Sequence, residues 1–134
     1  IIYSLIMVIW ITGLSGAGKT TLAQSIYKLL KKKYKNLIWF DGDTMRDLNE
    51  KNNKYDKESR IQQYNKLIKF VNFCHDQKIN IIVSALYFNK NLEKNNKKLF
   101  KYYFQIYLRS NIKELIKRNN KKIYSKNLKK KIPN

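Results

Sequence analysis

The residues with the clearest chemistry lie in the segment GLSGAGKT, residues 13–20, which fits the pattern G-x-x-x-x-G-K-[ST]. Three of the four glycines in this 134-residue chain fall there. Glycine allows successive backbone N–H groups to converge on an anion, and a helix that begins at the loop adds partial positive charge. In such a loop, Lys19 reaches the β- and γ-phosphates of a nucleoside triphosphate, and the Thr20 hydroxyl holds Mg²⁺. The segment therefore predicts a phosphate-binding loop.

The fourth glycine lies in a second motif, DGD, residues 41–43, which also holds two of only nine acidic residues. Two carboxylates one residue apart, Asp41 and Asp43, can serve Mg²⁺ or accept a proton from an attacking hydroxyl group. The same three residues are also typical of an ordinary turn with a solvated or helix-capping aspartate. Their position at the end of an apolar run, facing the phosphate loop, favours the catalytic interpretation.

Alternating strands and helices are predicted to position these motifs. Apolar runs predict strands at 5–12, 36–40, 79–86 and 102–108, and helical spacing predicts helices after residue 19 and at 57–77, 89–99 and 111–118. The apolar faces are assigned to Leu22, Ile26, Leu29 and Leu30 in the first helix and to Ile61, Tyr64, Leu67, Ile68 and Val71 in the second. This rhythm indicates one α/β domain with a parallel sheet, whose phosphate site lies at the carboxyl ends of the strands.

Composition excludes several classes of protein. The single Cys74 allows no internal disulfide and fits a reducing, cytoplasmic location. The apolar segment 1–14 is too short to span a bilayer and lacks the features of a secretory signal, so neither a membrane nor a secreted protein is expected. A formal charge of +20 attracts polyanions, but the basic residues are scattered along the chain, and specific nucleic-acid binding is not expected.

Arginine is rare in this lysine-rich chain. Of 29 basic residues, only Arg46, Arg60, Arg109 and Arg118 are arginines. The planar guanidinium group binds phosphate or sulfate oxygens in a two-pronged manner that lysine cannot reproduce. These positions are therefore candidates for anion recognition.

The segments WITGLSGAGKTTLA (10–23) and FDGDTMR (40–46) resemble the adenylyl-sulfate kinase family. KYDKESRIQQYNK (54–66) is similar to the family's GFSREDRIENIRR, and IKRNNKKIYSK (116–126) is similar to EKRDPKGLYKK. The resemblance implies a P-loop NTPase fold, a three-layer sandwich like that of nucleoside-monophosphate kinases. It also implies ATP and Mg²⁺ as cofactors, a small nucleotide as substrate and a possible homodimer. The implied reaction moves the ATP γ-phosphate to the 3′-hydroxyl of adenosine 5′-phosphosulfate.

Carried across by position, the resemblance implies a role for each site residue. Asp41, with Lys19 and Asp43, would form the catalytic group, and Thr20 and Asp41 would face the metal. The residues that would bind ATP are Gly13, Leu14, Ser15, Gly16, Ala17, Gly18, Lys19, Thr20, Thr21 and Arg118. Those that would bind the acceptor are Asp43, Arg46, Tyr55, Arg60, Gln63 and Lys121. Arg118 and Lys121 would begin a lid over the nucleotides.

Departures from the family pattern leave three functional hypotheses. Gln63 stands where the family has Asn, and after the third strand LYFNKN (86–91) replaces the usual FISPYR. That loop shapes the acceptor pocket, so another activated nucleotide, such as a cytidine diphosphoramidate of capsular polysaccharide synthesis, is the alternative acceptor. The sequence also stops at KKKIPN, inside the implied lid and before the family's last strand. A truncated, non-catalytic fragment that binds ATP or a polyanion is therefore the third hypothesis.

Overall fold

Four parallel strands form the centre of the fold. The computed structural model describes residues 5–42, 57–86 and 90–118. In these ranges the strands are β1 (Met7–Gly13), β2 (Leu37–Asp41), β3 (Asn80–Leu86) and β4 (Tyr102–Leu108). The helices are α1 (Lys19–Lys31), α2 (Lys57–Asp76), α3 (Lys90–Leu99) and α4 (Ile112–Arg118). The predicted alternation of strands and helices is confirmed.

The strand order β2-β3-β1-β4 brings both sequence motifs to one edge of the sheet. Gly13, the last residue of β1, pairs with Leu86 of β3 and Leu108 of β4. Asp41, the last residue of β2, pairs with Ser84 of β3. Because all the strands are parallel, their carboxyl ends lie together, as the sequence predicted for the phosphate site.

Helices cover the sheet on both faces, which gives the three layers that the family resemblance implied. On one face, Ala23 of α1 packs in a buried cluster with Ile9, Ile11, Leu37 and Ile82. On the other face, α2 and α3 bury Leu67, Val71, Cys74 and Leu92 against Val8, Trp10, Ile81 and Val83. The continuous apolar character of β1 and β3 follows from burial on both sides.

Two residues assigned to apolar helix faces are exposed instead. Leu29 of α1 has 68% of its surface exposed, and Ile61 of α2 has 38%. The buried side of α1 is centred on Ala23, and Leu29 lies about 120° around the helix from that centre. Ile61 lies in the first turn and a half of α2, before the first fully buried position, Leu67. In both helices the apolar residues recur at helical spacing, as predicted, but the face that is buried against the sheet includes fewer of them than predicted.

Asparagine side chains join three strands at the amino edge of the sheet. The buried Asn80 accepts a hydrogen bond from the backbone N–H of Met7 (2.7 Å) and donates one to Asn36 Oδ1 (3.0 Å). Asn36 in turn donates to the carbonyl oxygen of Lys78 (2.6 Å). These bonds fix the starts of β1, β2 and β3 relative to one another.

Replacing Asn80 tests this junction. We expect Asn80→Ala to lower the free energy of unfolding by about 1–2 kcal/mol, because the partly buried Met7 N–H loses its partner. Denaturant unfolding measures the change. Asn95→Ala, on the exposed side of α3, is the matched control and should be close to neutral. A loss at Asn80 no larger than that of the control would show that the junction does not stabilise the sheet.

Among the described helices, none combines the length and the apolar character that crossing a membrane requires.

Candidate active site

The loop between β1 and α1 has the backbone that the glycines of its sequence predicted. Gly16 and Gly18 adopt φ angles of 82° and 96°, in the region that disfavours residues with a Cβ atom. The N–H of Ala17 donates to the carbonyl oxygen of Leu14 (3.1 Å), which closes a turn inside the loop. α1 begins directly after Gly18, so the positive end of the helix points toward the loop.

Gly13 and Gly18 are required for different physical reasons. Replacing each with alanine should therefore change the free energy of unfolding by different amounts. A Cβ on Gly13 would lie 2.7 Å from the carbonyl oxygen of Leu108, whereas a Cβ on Gly18 would meet nothing within 4 Å. We expect Gly18→Ala to lower the free energy of unfolding by about 1–2 kcal/mol through backbone strain alone. Gly13→Ala should cost about 3 kcal/mol, because overpacking against β4 adds to the strain.

Thermal or denaturant unfolding of the two variants provides the measurement. Equal losses would contradict the close approach of β1 and β4 at Gly13.

Lys19 folds back over the loop. Its Nζ donates a hydrogen bond to the carbonyl oxygen of Leu14 at 2.8 Å, and the side chain is buried although it occupies the first position of α1. The ammonium group is therefore held above the same loop whose backbone is shaped for an anion. A buried positive charge in this position attracts phosphate oxygens more strongly than an exposed lysine would.

Thr20 and Asp41 meet at the carboxyl edge, although 21 positions separate them in the sequence. Thr20 Oγ1 donates to Asp41 Oδ2 at 2.9 Å. Thr20 is the second residue of α1, and Asp41 ends β2 on the sheet face that α1 covers. The hydroxyl and carboxylate oxygens predicted to face the metal are thus brought together.

Gly42 follows Asp41 in a crowded position. A Cβ there would lie 3.2 Å from the carbonyl oxygen of Ser84 and 3.3 Å from Cβ of Ala85. The glycine of the DGD motif therefore lets the chain pass close to β3 directly after the carboxylate. Asp43, the second carboxylate of the motif, lies outside the described residues.

The candidate acceptor residues Arg60 and Gln63 lie near the start of α2. Because α2 leads back to the amino end of β3, its first turns lie at the carboxyl edge of the sheet. Arg60 Nε is buried, and it has no hydrogen-bond partner in the part of the chain that the structure describes. A buried guanidinium nitrogen without a partner is costly, and an anionic ligand would satisfy it.

Four of the predicted site residues, Asp43, Arg46, Tyr55 and Lys121, lie outside the described ranges. Arg118 ends α4, and only its place in the helix is described. Their roles remain predictions.

Two features near the site were missed by the sequence analysis. Trp39 donates from Nε1 to Ser84 Oγ (3.0 Å), beside the position where Ser84 pairs with Asp41. The alternation of β2, which puts positions 39 and 41 on one face, was the available signal. The second feature is an open cavity of about 380 Å³ on the β4 side of the loop. It is lined by Leu14, Tyr107, Leu108, Arg109, Ser110 and Asn111.

The arrangement can hold a triphosphate at the loop and a metal-side carboxylate beside it. The family profile described as adenylylsulphate kinase matches residues 6–134. The chain belongs to the adenylyl-sulfate kinase family. Since the named relatives in this family are kinases, the chain is an ATP-dependent phosphotransferase with a P-loop fold, as the resemblance implied.

Individual members of the adenylyl-sulfate kinase family differ in acceptor. The chain is 42% identical to the cytidine diphosphoramidate kinase of Campylobacter jejuni, over 95% of this chain and 74% of the relative. It is 31% identical to the probable adenylyl-sulfate kinase of Pyrococcus abyssi, over 88% of this chain and 68% of the relative. The APS kinase CysC of Mycobacterium tuberculosis, solved in complex with AMPPNP and APS, superimposes with a TM-score of 0.79. That match covers 96% of this chain and 76% of the other at 23% identity, and it shows the shared fold.

Proposed function

We propose that this family member transfers the γ-phosphoryl group of ATP to a hydroxyl group of an activated nucleotide. The observation that carries the proposal is the hydrogen bond from Thr20 to Asp41 beside the phosphate loop. This bond joins Thr20, the residue after Lys19, to the carboxylate of Asp41 at the end of β2. P-loop phosphotransferases use such a pair, a loop hydroxyl and a carboxylate from another strand, beside the terminal phosphates of the donor.

Thr20 and Asp41 are the residues that would hold Mg²⁺. In proteins Mg²⁺ is commonly bound by one or two protein oxygens, with phosphate oxygens and waters completing the shell. In the described ranges no group of three or more His, Cys, Asp or Glu offers a more complete protein site. When bound, Mg²⁺ neutralises negative charge on the β- and γ-phosphate oxygens.

Side chains of the protein would bind the phosphates and accept the proton of the acceptor hydroxyl. Lys19 binds the β- and γ-phosphate oxygens with the ammonium group now held by the Leu14 carbonyl. Asp41 orients the acceptor hydroxyl and accepts its proton, with Asp43 as the second carboxylate of the motif. The cavity that Leu14 and Arg109 line lies across β1 from Asp41. We assign that cavity to the nucleoside part of the donor, which keeps donor and acceptor on opposite sides of the loop.

Arg60 supports an anionic acceptor. Its Nε, which has no hydrogen-bond partner among the described residues, would bind a phosphate or sulfate oxygen of the acceptor, and Gln63, one turn further along α2, would contact the same molecule. Arg46, Tyr55 and Lys121 complete the proposed acceptor site, and Arg118 is proposed to contact ATP. We therefore propose that the acceptor carries an anionic group, which binds near the first turns of α2.

Cytidine diphosphoramidate is the preferred acceptor in this proposal. The 42% identity to a kinase of that nucleotide, against 31% to a probable adenylyl-sulfate kinase, favours it. The sequence LYFNKN at 86–91, which departs from the adenylyl-sulfate kinase pattern, points the same way. Adenosine 5′-phosphosulfate, the first acceptor that the sequence resemblance implied, is the second candidate.

ADP release from Mg·ATP, with each acceptor supplied separately under the same conditions, tests the proposal. We expect release that depends on an acceptor and is faster with cytidine diphosphoramidate. Faster release with adenosine 5′-phosphosulfate would reassign the acceptor and keep the kinase activity. No stimulation by either, in a folded sample that binds ATP, would favour a non-catalytic nucleotide-binding protein.

A further inference from the structure

A chain of partly buried hydrogen bonds links α2, α3 and β4 on the face of the sheet opposite α1. Tyr64 of α2 donates its hydroxyl hydrogen to Asn96 Oδ1 of α3 (3.0 Å). Asn96 Nδ2 donates to the Tyr103 hydroxyl oxygen of β4 (3.1 Å), and Tyr103 donates to Gln105 Oε1 (2.6 Å). Asn96 is fully buried, with both ends of its amide group engaged. The four side chains form one directed network, here called the tyrosine–asparagine network.

The tyrosine hydroxyl groups of the network stay protonated, and the ring of Tyr64 is held by packing. Burial raises the pKa of Tyr103 to about 12, and burial likewise raises the pKa of Tyr64 above its ordinary value. Both hydroxyl groups therefore remain neutral donors across the range in which proteins work. The Tyr64 ring also packs edge-to-face on Trp10 of β1, with ring centroids 6.1 Å apart. Tyr64 is thus held both by its ring and by its hydroxyl group.

The position of Tyr64 along α2 gives the network a consequence for the site. The fully buried side chains of α2 are Leu67, Val71 and Cys74, all in its later turns. From residue 57 to residue 66 no side chain of the helix is fully buried. Through its ring contact with Trp10 and its hydroxyl bond to Asn96, Tyr64 ties these first turns to β1 and α3, and it lies one turn after Arg60.

We propose that Tyr64 and Asn96 are positioning residues that hold the start of α2, and through it Arg60, at the depth that acceptor binding requires. The inference rests on the proposed role of Arg60 in binding the acceptor. Displacement of a substrate-positioning group by about an ångström is enough to impair phosphoryl transfer. The bond from Tyr64 to Asn96 also ties the first half of α2 to α3.

Steady-state kinetics with the preferred acceptor provide the first test. We expect Tyr64→Phe to raise the acceptor KM about three- to tenfold, the size of one net hydrogen bond, and to leave the ATP KM unchanged. Asn96→Leu, which removes both amide bonds at nearly constant volume, should act in the same direction. Cys74→Ala is the control, because it perturbs the buried far end of the same helix and should leave the acceptor KM unchanged.

A double-mutant cycle separates positioning from a general loss of stability. If Tyr64 acts mainly through Arg60, Tyr64→Phe should raise the acceptor KM of an Arg60→Ala variant by a clearly smaller factor than it raises that of the unchanged chain. Independent, additive effects would overturn the proposal, as would equal changes in the KM values of ATP and acceptor.

Hydrogen exchange keeps the inference testable if neither acceptor is phosphorylated and the proposed function fails. Tyr64→Phe should then speed amide exchange at residues 57–66 more than at 67–76, and Cys74→Ala should do the reverse. Equal acceleration along the helix would show that Tyr64 does not anchor its start.

Discussion

Lys19→Ala is expected to lower acceptor-dependent ADP release by about a hundred- to a thousandfold. The Lys19 ammonium is buried over the phosphate loop, where its charge acts on the phosphate oxygens with little screening by water. In the loose transition state of phosphoryl transfer, negative charge is spread over the oxygens of the transferring group and moves toward the leaving oxygen, and the charge of Lys19 stabilises it there. Removing that charge therefore weakens the transition state more than the ground state.

The fold should survive this substitution. The Leu14 carbonyl oxygen, which accepts from Lys19, also accepts from the N–H of Ala17 and so retains a partner. Steady-state rates and a thermal unfolding curve on the same sample measure the two effects separately. Lys28→Ala, on the exposed side of α1, is the matched control for the loss of one positive charge. If Lys19→Ala turned over at the rate of Lys28→Ala, the loop would not be the site of phosphoryl transfer.

Asp41→Asn is expected to reduce turnover by about a thousandfold while ATP binding is retained. Asparagine keeps the size of the side chain and an oxygen that can accept from the Thr20 hydroxyl, so the contact at 2.9 Å need not be lost. What disappears is the negative charge that would face Mg²⁺ and accept the proton of the acceptor hydroxyl. The expected loss therefore falls on the rate of the chemical step, measured in single-turnover experiments at saturating ATP.

Calorimetric titration with ATP supplies the second measurement for this variant. Asp76→Asn, at the exposed end of α2, controls for the loss of a carboxylate elsewhere on the surface. Turnover close to that of the unchanged chain would remove Asp41 from the mechanism and leave Asp43 as the candidate base. Loss of ATP binding together with turnover would instead assign Asp41 to the metal alone.

The sequence predicted the parts of this fold that depend on local periodicity. The strands and helices follow from apolar runs and helical spacing, and the parallel sheet follows from their alternation. The boundaries of buried faces were less predictable. Leu29 and Ile61 match the helical spacing, but they are exposed, because the strip of helix surface that contacts the sheet is narrower than the apolar stripe in the sequence.

The candidate site was predictable where a motif fixes backbone and side chains together. The phosphate loop and the first two residues of the DGD segment are of this kind, and Thr20 meets Asp41 because α1 begins and β2 ends at the same edge of the sheet. The tyrosine–asparagine network was not predictable, because its members lie on three elements and no local spacing relates them. Tyr64 was predicted only as part of an apolar face, and its hydroxyl bond depends on where α3 lies.

The two tryptophans lie on opposite faces of the sheet, which gives the chain two optical reporters. Trp39 sits on the α1 face, bonded to Ser84 beside Asp41, and Trp10 sits on the other face against Tyr64. These are the only tryptophans in the sequence. Trp10→Phe would leave tryptophan emission only from Trp39, beside Asp41, and Trp39→Phe only from Trp10, against Tyr64 of α2. Changes around the Thr20–Asp41 pair and changes at the first turns of α2 could then be followed separately, in real time and without any attached dye.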